Sequence, residues 1–99
     1  MIRHVVMFQW SPDATDEQIQ TMVERLAELP SLIPTVRNYT FGPDVAVNEG
    51  NFDFAIVGDF DSVDDYVVYR DHPAHQAFIR ECIAPIRTTR AAVQFPLPQ

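Results

Sequence analysis

IRHVVMFQW, residues 2–10, carries apolar side chains on both of its alternating faces. β-Branched and aromatic types dominate it, which predicts a strand. Ile2, His4, Val6, Phe8 and Trp10 project to one side, and Val5 and Met7 to the other. A strand that is apolar on both faces needs cover on both. One layer of helices covers one face only. The other face must meet a second sheet, most simply that of an identical chain across a two-fold axis.

The segments that follow supply the helix layer and the rest of the sheet. SPDATDEQ gives a turn and a helix start, with Thr15 as N-cap and Gln18 three residues later, the pattern of a capping box. Asp16 and Glu17 favour the positive end of the helix dipole. Ile19, Met22, Val23, Leu26 and Leu29 then form one apolar stripe at helical spacing. Pro30 and Pro34 are expected to end this helix. Residues 35–45 read as a second strand, NEGN at 48–51 as a turn, and FDFAIVGDF at 52–60 as a third strand. Phe54, Ile56 and Phe60 share one face of that strand, and Ala55 and Val57 the other. Ser62 caps a short helix bearing Tyr66 and Tyr69, which His72-Pro73 interrupts. Pro73 suits the first turn of a new helix. This helix carries His75, Phe78, Ile79 and Cys82 and stops before Pro85. A last strand spans 88–95, and FPLPQ reads as a tail, an arm laid on a partner.

The order β-α-β-β-α-β predicts an α+β, ferredoxin-like split βαβ fold. Its four-stranded antiparallel sheet would carry helices on one face. Residues 1–99 are read as a single domain, with no repeat, linker or low-complexity segment.

Composition narrows the partners. The chain is 46% hydrophobic, with seven Phe, three Tyr and one Trp, which is generous for so short a monomer and favours a homodimer. Fourteen acids against seven bases give a net charge of −7. Nucleic acid and anionic membranes are poor partners for such a chain, which has no basic run to displace phosphate counterions. One cysteine, Cys82, excludes an internal disulfide and reads as a packed thiol in a reducing cytoplasm. No apolar run approaches the roughly 20 residues that span a bilayer. The N-terminus meets acids too soon for a signal peptide.

Chemistry concentrates in YRDHPAHQAF, residues 69–78, which holds two of the three histidines. A zinc site would need His72 and His75 plus His4, Asp71, Glu81 or Cys82. The spacing of three, split by Pro73, is not the HExxH device, and helix-start chemistry explains it equally well. No metal or cofactor is therefore expected. Asp59, Asp61, Asp64 and Asp65 do not match a calcium loop, and capping with a solvated edge accounts for them. Acid–base chemistry is the sharper reading of the histidines. His4 lies on the strand face of Val6 and Phe8, and Tyr69 and His75 could meet it in the sheet–helix layer. That would make a small apolar pocket with convergent polar groups. The plain alternative is that His4 and Tyr69 hydrogen-bond each other inside a core.

IRHVVMFQW with His at position 4, SLIPTVRNYTFGPDV, and FDFAIVGDFDSVDDYVVYRDHPAHQAFI together resemble the stress-responsive A/B barrel family, often called Dabb. The resemblance covers nearly the whole chain, and YRDHPAHQAF is its most specific part. It implies a dimeric α+β barrel, in which two ferredoxin-like chains set their sheets face to face. It also implies relatives of two kinds: stress-induced plant proteins without settled chemistry, and a cofactor-independent polyketide cyclase. In the cyclase a histidine of the final HPAH is the base, helped by a tyrosine three residues before the motif. Carried over, the base is His75 and the tyrosine is Tyr69. His4 is the strand histidine of the pocket, and Val6, Phe8, Ile56, His72, Phe78 and Ile86 line it. Leu26 stands where the cyclase has a second pocket tyrosine, which removes one polar group. Two functions stay open on this resemblance. One is a lyase or cyclase acting on a small apolar carbonyl compound, and the other is a non-catalytic binding or structural dimer of the stress response.

Overall fold

The structure is a computed structural model that describes residues 1–98. Its elements are β1 (Ile2–Trp10), α1 (Asp16–Leu32), β2 (Asn38–Pro43), β3 (Phe54–Phe60), α2 (Val63–Asp71), α3 (Pro73–Phe78), a single π-helical turn (Ile79–Ile83) and β4 (Arg87–Pro96). The strands form one antiparallel sheet in the order β2-β3-β1-β4. This is the ferredoxin-like α+β arrangement, with the helices on one face.

Local chemistry sets the element ends. At α1 the Thr15 hydroxyl accepts from the Gln18 N–H, and the Gln18 side chain accepts from the Thr15 N–H. Both bonds satisfy donors that a helix start leaves open. Met22, Leu26 and Leu29 are buried along the stripe, with Ile19 and Val23 at its half-buried margin. Burial of each large side chain contributes roughly 1.5–3 kcal/mol. Pro30 does not end the helix, which continues to Leu32. The Ser31 hydroxyl donates to the Glu28 carbonyl, and the Ile33 N–H to the Leu29 carbonyl. These bonds, with Leu29 and Ile33 anchored in the core, carry the chain past the proline.

The second and third strands are shorter than expected, 38–43 and 54–60 against 35–45 and 52–60. Asp53, just outside the third strand, bonds across to β1 instead. The Asp53 carboxylate accepts from the Trp10 N–H, and the Asp53 N–H donates to the Phe8 carbonyl. The turn at 48–51 contains Gly50 at φ +81°, a left-handed conformation suited to glycine. β4 runs one residue further than the expected strand at each end, so Pro96 of the expected tail lies within it, and the Leu97 N–H bonds the Met1 carbonyl. Gln99, the last residue of that expected arm, is outside the described residues. The second half of the C-terminal helix is also re-formed. Ala84 N–H reaches back to the Ile79 carbonyl in a π turn, which lets the adjacent Cys82 and Ile83 both be buried. Burial raises the Cys82 thiol pKa, which suits a packed thiol.

The core lies between the helices and the inner face of the sheet, where Val6, Phe8, Phe54, Ile56 and Phe60 meet the α1 stripe, Tyr69 and Phe78. The outer face has no cover within the chain. There Val5 is flanked by Val57 and Val93, and Met7 by Ala55 and Ala91. Met7 is 37% exposed, Val93 54% and Phe95 39%. Asp59 lies on this same face yet is buried. Arg3 grips its two carboxylate oxygens at 2.8 and 2.9 Å, and Asn38 donates at 3.3 Å. It is therefore a buried ion-pair partner rather than part of a solvated acidic edge. The Arg3 guanidinium holds its carboxyl below the usual range. Among the described residues no helix is long and apolar enough to cross a membrane.

Candidate functional site

His4, Tyr69 and His75 are brought together, but not through the bonds that the sequence suggests. His4 is only 3% exposed, under the α2 helix. Its ring lies 4.9 Å from that of Tyr66 and 6.2 Å from that of Tyr69. The Tyr69 ring lies 4.2 Å from the His75 ring. The Tyr69 hydroxyl, however, meets the Tyr39 hydroxyl at 2.6 Å. His4 is bonded instead by Gln94 of β4, whose amide nitrogen is 2.8 Å from Nδ1.

Gly58 makes this crowding feasible. It pairs with His4 on one side and Tyr39 on the other. A Cβ at Gly58 would stand 3.2 Å from both the Tyr39 and Phe60 rings. With no side chain there, those rings close over the strand and support Tyr69, whose centroid is 5.9 Å from Tyr39 and 5.0 Å from Phe60.

Hydrogen bonds fix each histidine tautomer. The Gln94 amide nitrogen can only donate, so His4 Nδ1 accepts and the neutral ring keeps its proton on Nε2. His75 Nδ1 is 2.9 Å from the Arg70 carbonyl, which can only accept. His75 therefore donates from Nδ1 and leaves a lone pair on Nε2. His72 Nδ1 accepts from the Ala74 N–H at 3.0 Å and caps α3. The two histidines of HPAH thus have different work, one capping the start of a helix and one presenting a basic nitrogen.

The electrostatics keep the site neutral. Burial, helped by Arg90 and then His75, lowers the His4 pKa to about 4. Burial likewise lowers that of His75, opposed by its bond to the Arg70 carbonyl. The Tyr69 phenol is pushed up to about 12, chiefly by burial. Burial and then the Tyr69 contact raise Tyr39 as well. All four groups are uncharged at neutral pH. A His4 that is neutral when folded, but has pKa about 6.5 when unfolded, stabilises the fold fully above pH 6.5. That contribution is lost as pH falls towards 4, because the unfolded chain takes the proton first. Denaturation at stepped pH should show a loss of about 2–3 kcal/mol across this window. His4→Gln should show a visibly smaller loss, and an equal slope in both proteins would contradict the assignment.

The other expected pocket residues are also placed. Val6, Phe8, Ile56 and Phe78 are at most 5% exposed and pack in one cluster. Ile86 lines a separate concavity of about 210 Å³ with Thr15, Gln18, Cys82 and Pro85. Among the described residues no group of three or more His, Cys, Asp or Glu side chains converges to hold a metal ion. Tyr39, Tyr66, Gln94 and Arg90 belong to the site and were missed from sequence. For Gln94 and Arg90 the available signal was strand alternation, which puts them on the same face of β4, and for Tyr66 it was its place one helical turn before Tyr69.

The model of the stress responsive A/B barrel domain matches residues 2–97. No curated protein matches the sequence. Among solved structures, a dimeric ferredoxin-like protein of unknown function from Thermobifida fusca YX is 43% identical, with a TM-score of 0.90, over 97% of this chain and 90% of that one. A Dabb family protein from Mesorhizobium loti MAFF303099 is 22% identical, with a TM-score of 0.81, over 98% and 97%. A hydroxynitrile lyase from Passiflora edulis is 19% identical, with a TM-score of 0.87, over 99% and 94%. At those last two identities the likeness is one of fold.

Proposed function

This chain belongs to the stress responsive A/B barrel domain family, and on that footing we propose that it is a small-molecule-binding homodimer with cofactor-independent lyase or cyclase chemistry at His75. The observation that carries the proposal is the complementary pair of neutral imidazoles, a lone pair on His75 Nε2 and an N–H on His4 Nε2. Such a pair suits removal of a proton from carbon next to a carbonyl. The C–H bond breaks, its proton passes to His75 Nε2, and the electron pair moves onto the carbonyl oxygen. His4 Nε2–H donates to the enolate so formed. The enolate carbon then attacks a second carbonyl within the molecule, closing a ring whose alkoxide takes the proton back from His75, or the enolate expels a leaving group from the adjacent carbon, and that group takes the proton. Tyr69, engaged with Tyr39, holds the His75 ring through a tilted ring contact at 4.2 Å.

The dimer rests on the uncovered outer face and on structural relatives described as dimeric. Residues 1–99 form one domain in this reading, and the lone buried thiol suits a reducing cytoplasm.

Exchange of acidic C–H protons tests the chemistry without knowledge of the product. With 4-hydroxyacetophenone in D₂O, the protein should accelerate loss of the methyl proton signal. His75→Ala should lower that acceleration by roughly 10²–10⁴-fold, while His72→Ala should retain most of it. Full exchange by a dimeric His75→Ala would sink the assignment. Absence of exchange by the native protein would leave the second reading, a non-catalytic binding or structural dimer. The close packing of Val6, Phe8, Ile56 and Phe78 favours that reading.

A further inference from the structure

All seven basic residues of the chain are arginines. Arg3, Arg25, Arg37, Arg70 and Arg80 each pair with a carboxylate. Among the described residues no carboxylate pairs with Arg87 or Arg90. In a chain of net charge −7, these two guanidiniums stand without a carboxylate to neutralise them. Arg90 pairs across β1–β4 with Phe8, Ala92 with Val6, and Gln94 with His4. The three therefore project to the inner face, the side of His4. All three are exposed, so the helices leave this margin of the sheet open. Arg90 is also close enough for its charge to depress the pKa of His4, His75 and Tyr69.

Resting on the small-molecule reading above, we infer that Arg90 is the anion-recognising residue of the site, and that its ligand is a small carbonyl compound carrying a carboxylate. The Cα atoms of Arg90 and Gln94 are separated by about 13 Å of extended strand. The arginine stem spans part of that length, and the methyl of Ala92 leaves the middle low. A one-ring acid would lie along the row, its carboxylate on the guanidinium fork and its carbonyl towards His4. Planar guanidinium matches carboxylate in a two-point contact that a neutral amide cannot reproduce. The acidic surface elsewhere repels anions, so the cation in line with His4 also sets the direction in which such a ligand lies.

The test uses 4-acetylbenzoate and its neutral counterpart 4-acetylbenzamide, titrated at pH 7 while the imidazole signals of His4 and His75 are followed by NMR. The acid should bind at least about tenfold more tightly than the amide. Arg90→Gln should remove that preference by weakening acid binding. Arg90→Lys should keep part of it, and Arg87→Gln all of it. Because Arg90 is exposed, the backbone spectrum of the Gln variant should stay native. Equal binding of both probes by the native protein, or a preference that survives Arg90→Gln, overturns the inference while the pocket reading stands. If neither probe moves a histidine signal, the pocket reading falls, and the inference with it.

Discussion

Val57→Glu is expected to be a folded monomer where the native protein is a dimer. Val57 sits on the outer face of β3, flanked by Val5 of β1 and Thr40 of β2. In a single chain that face meets water, so a glutamate there is tolerated. Sheet against sheet, two carboxylates enter the interface at once, because a two-fold axis doubles every substitution. Removing an ion from water costs several kcal/mol unless a partner compensates. Arg3, the cation of this face, is already bound by Asp59. The dissociation constant should rise by at least about 10³-fold. Sedimentation at micromolar concentration would show one species at about half the native mass, with native helical signal. Val63→Glu is the control: Val63 is 60% exposed on α2, and its variant should stay dimeric. A dimeric Val57→Glu, or a monomeric native protein, would refute the face-to-face arrangement.

Phe60→Ala should come close to unfolding the protein. Phe60 is fully buried at the end of β3. Its ring meets Tyr66 edge-on at 5.5 Å and Tyr69 at 5.0 Å. Truncation removes the ring and leaves a cavity under both tyrosines, at a cost of about 3–5 kcal/mol. A domain of this size has roughly 5–15 kcal/mol in all. The urea midpoint should therefore drop steeply, and Phe60→Leu should recover much of the loss by refilling the space. The functional site would share the damage, because Tyr66 lies over His4 and Tyr69 against His75. A midpoint shift equivalent to under about 1 kcal/mol would mean that the two tyrosines are held from elsewhere.

Much of the architecture was legible because it is local. Thr15 and Gln18 mark the start of α1, Ser62 the start of α2, and His72-Pro73 the break before α3. Each is decided by residues within four positions of one another. Alternation in β1 and β3 named the inner and outer faces correctly, since side-chain direction in a strand follows position alone. The errors arose where distant groups compete. Pro30 was outweighed by the core anchors on either side of it, and Asp59 was claimed by Arg3, 56 residues away.

The candidate site divides in the same way. Read from the sequence, His4 shares a strand face with the core residues Val6 and Phe8, His72-Pro73 breaks one helix, and His75 lies in the first turn of the next. Periodicity and proline geometry require no more than neighbours along the chain. What each group is bonded to depended on the assembled fold. Gln94 sets the proton on His4 from 90 residues away, and Tyr39 takes the Tyr69 hydroxyl from 30. Those pairings depend on strand register and on the absent side chain of Gly58. Register is fixed by the whole sheet settling against its core, and no short stretch of sequence carries that information.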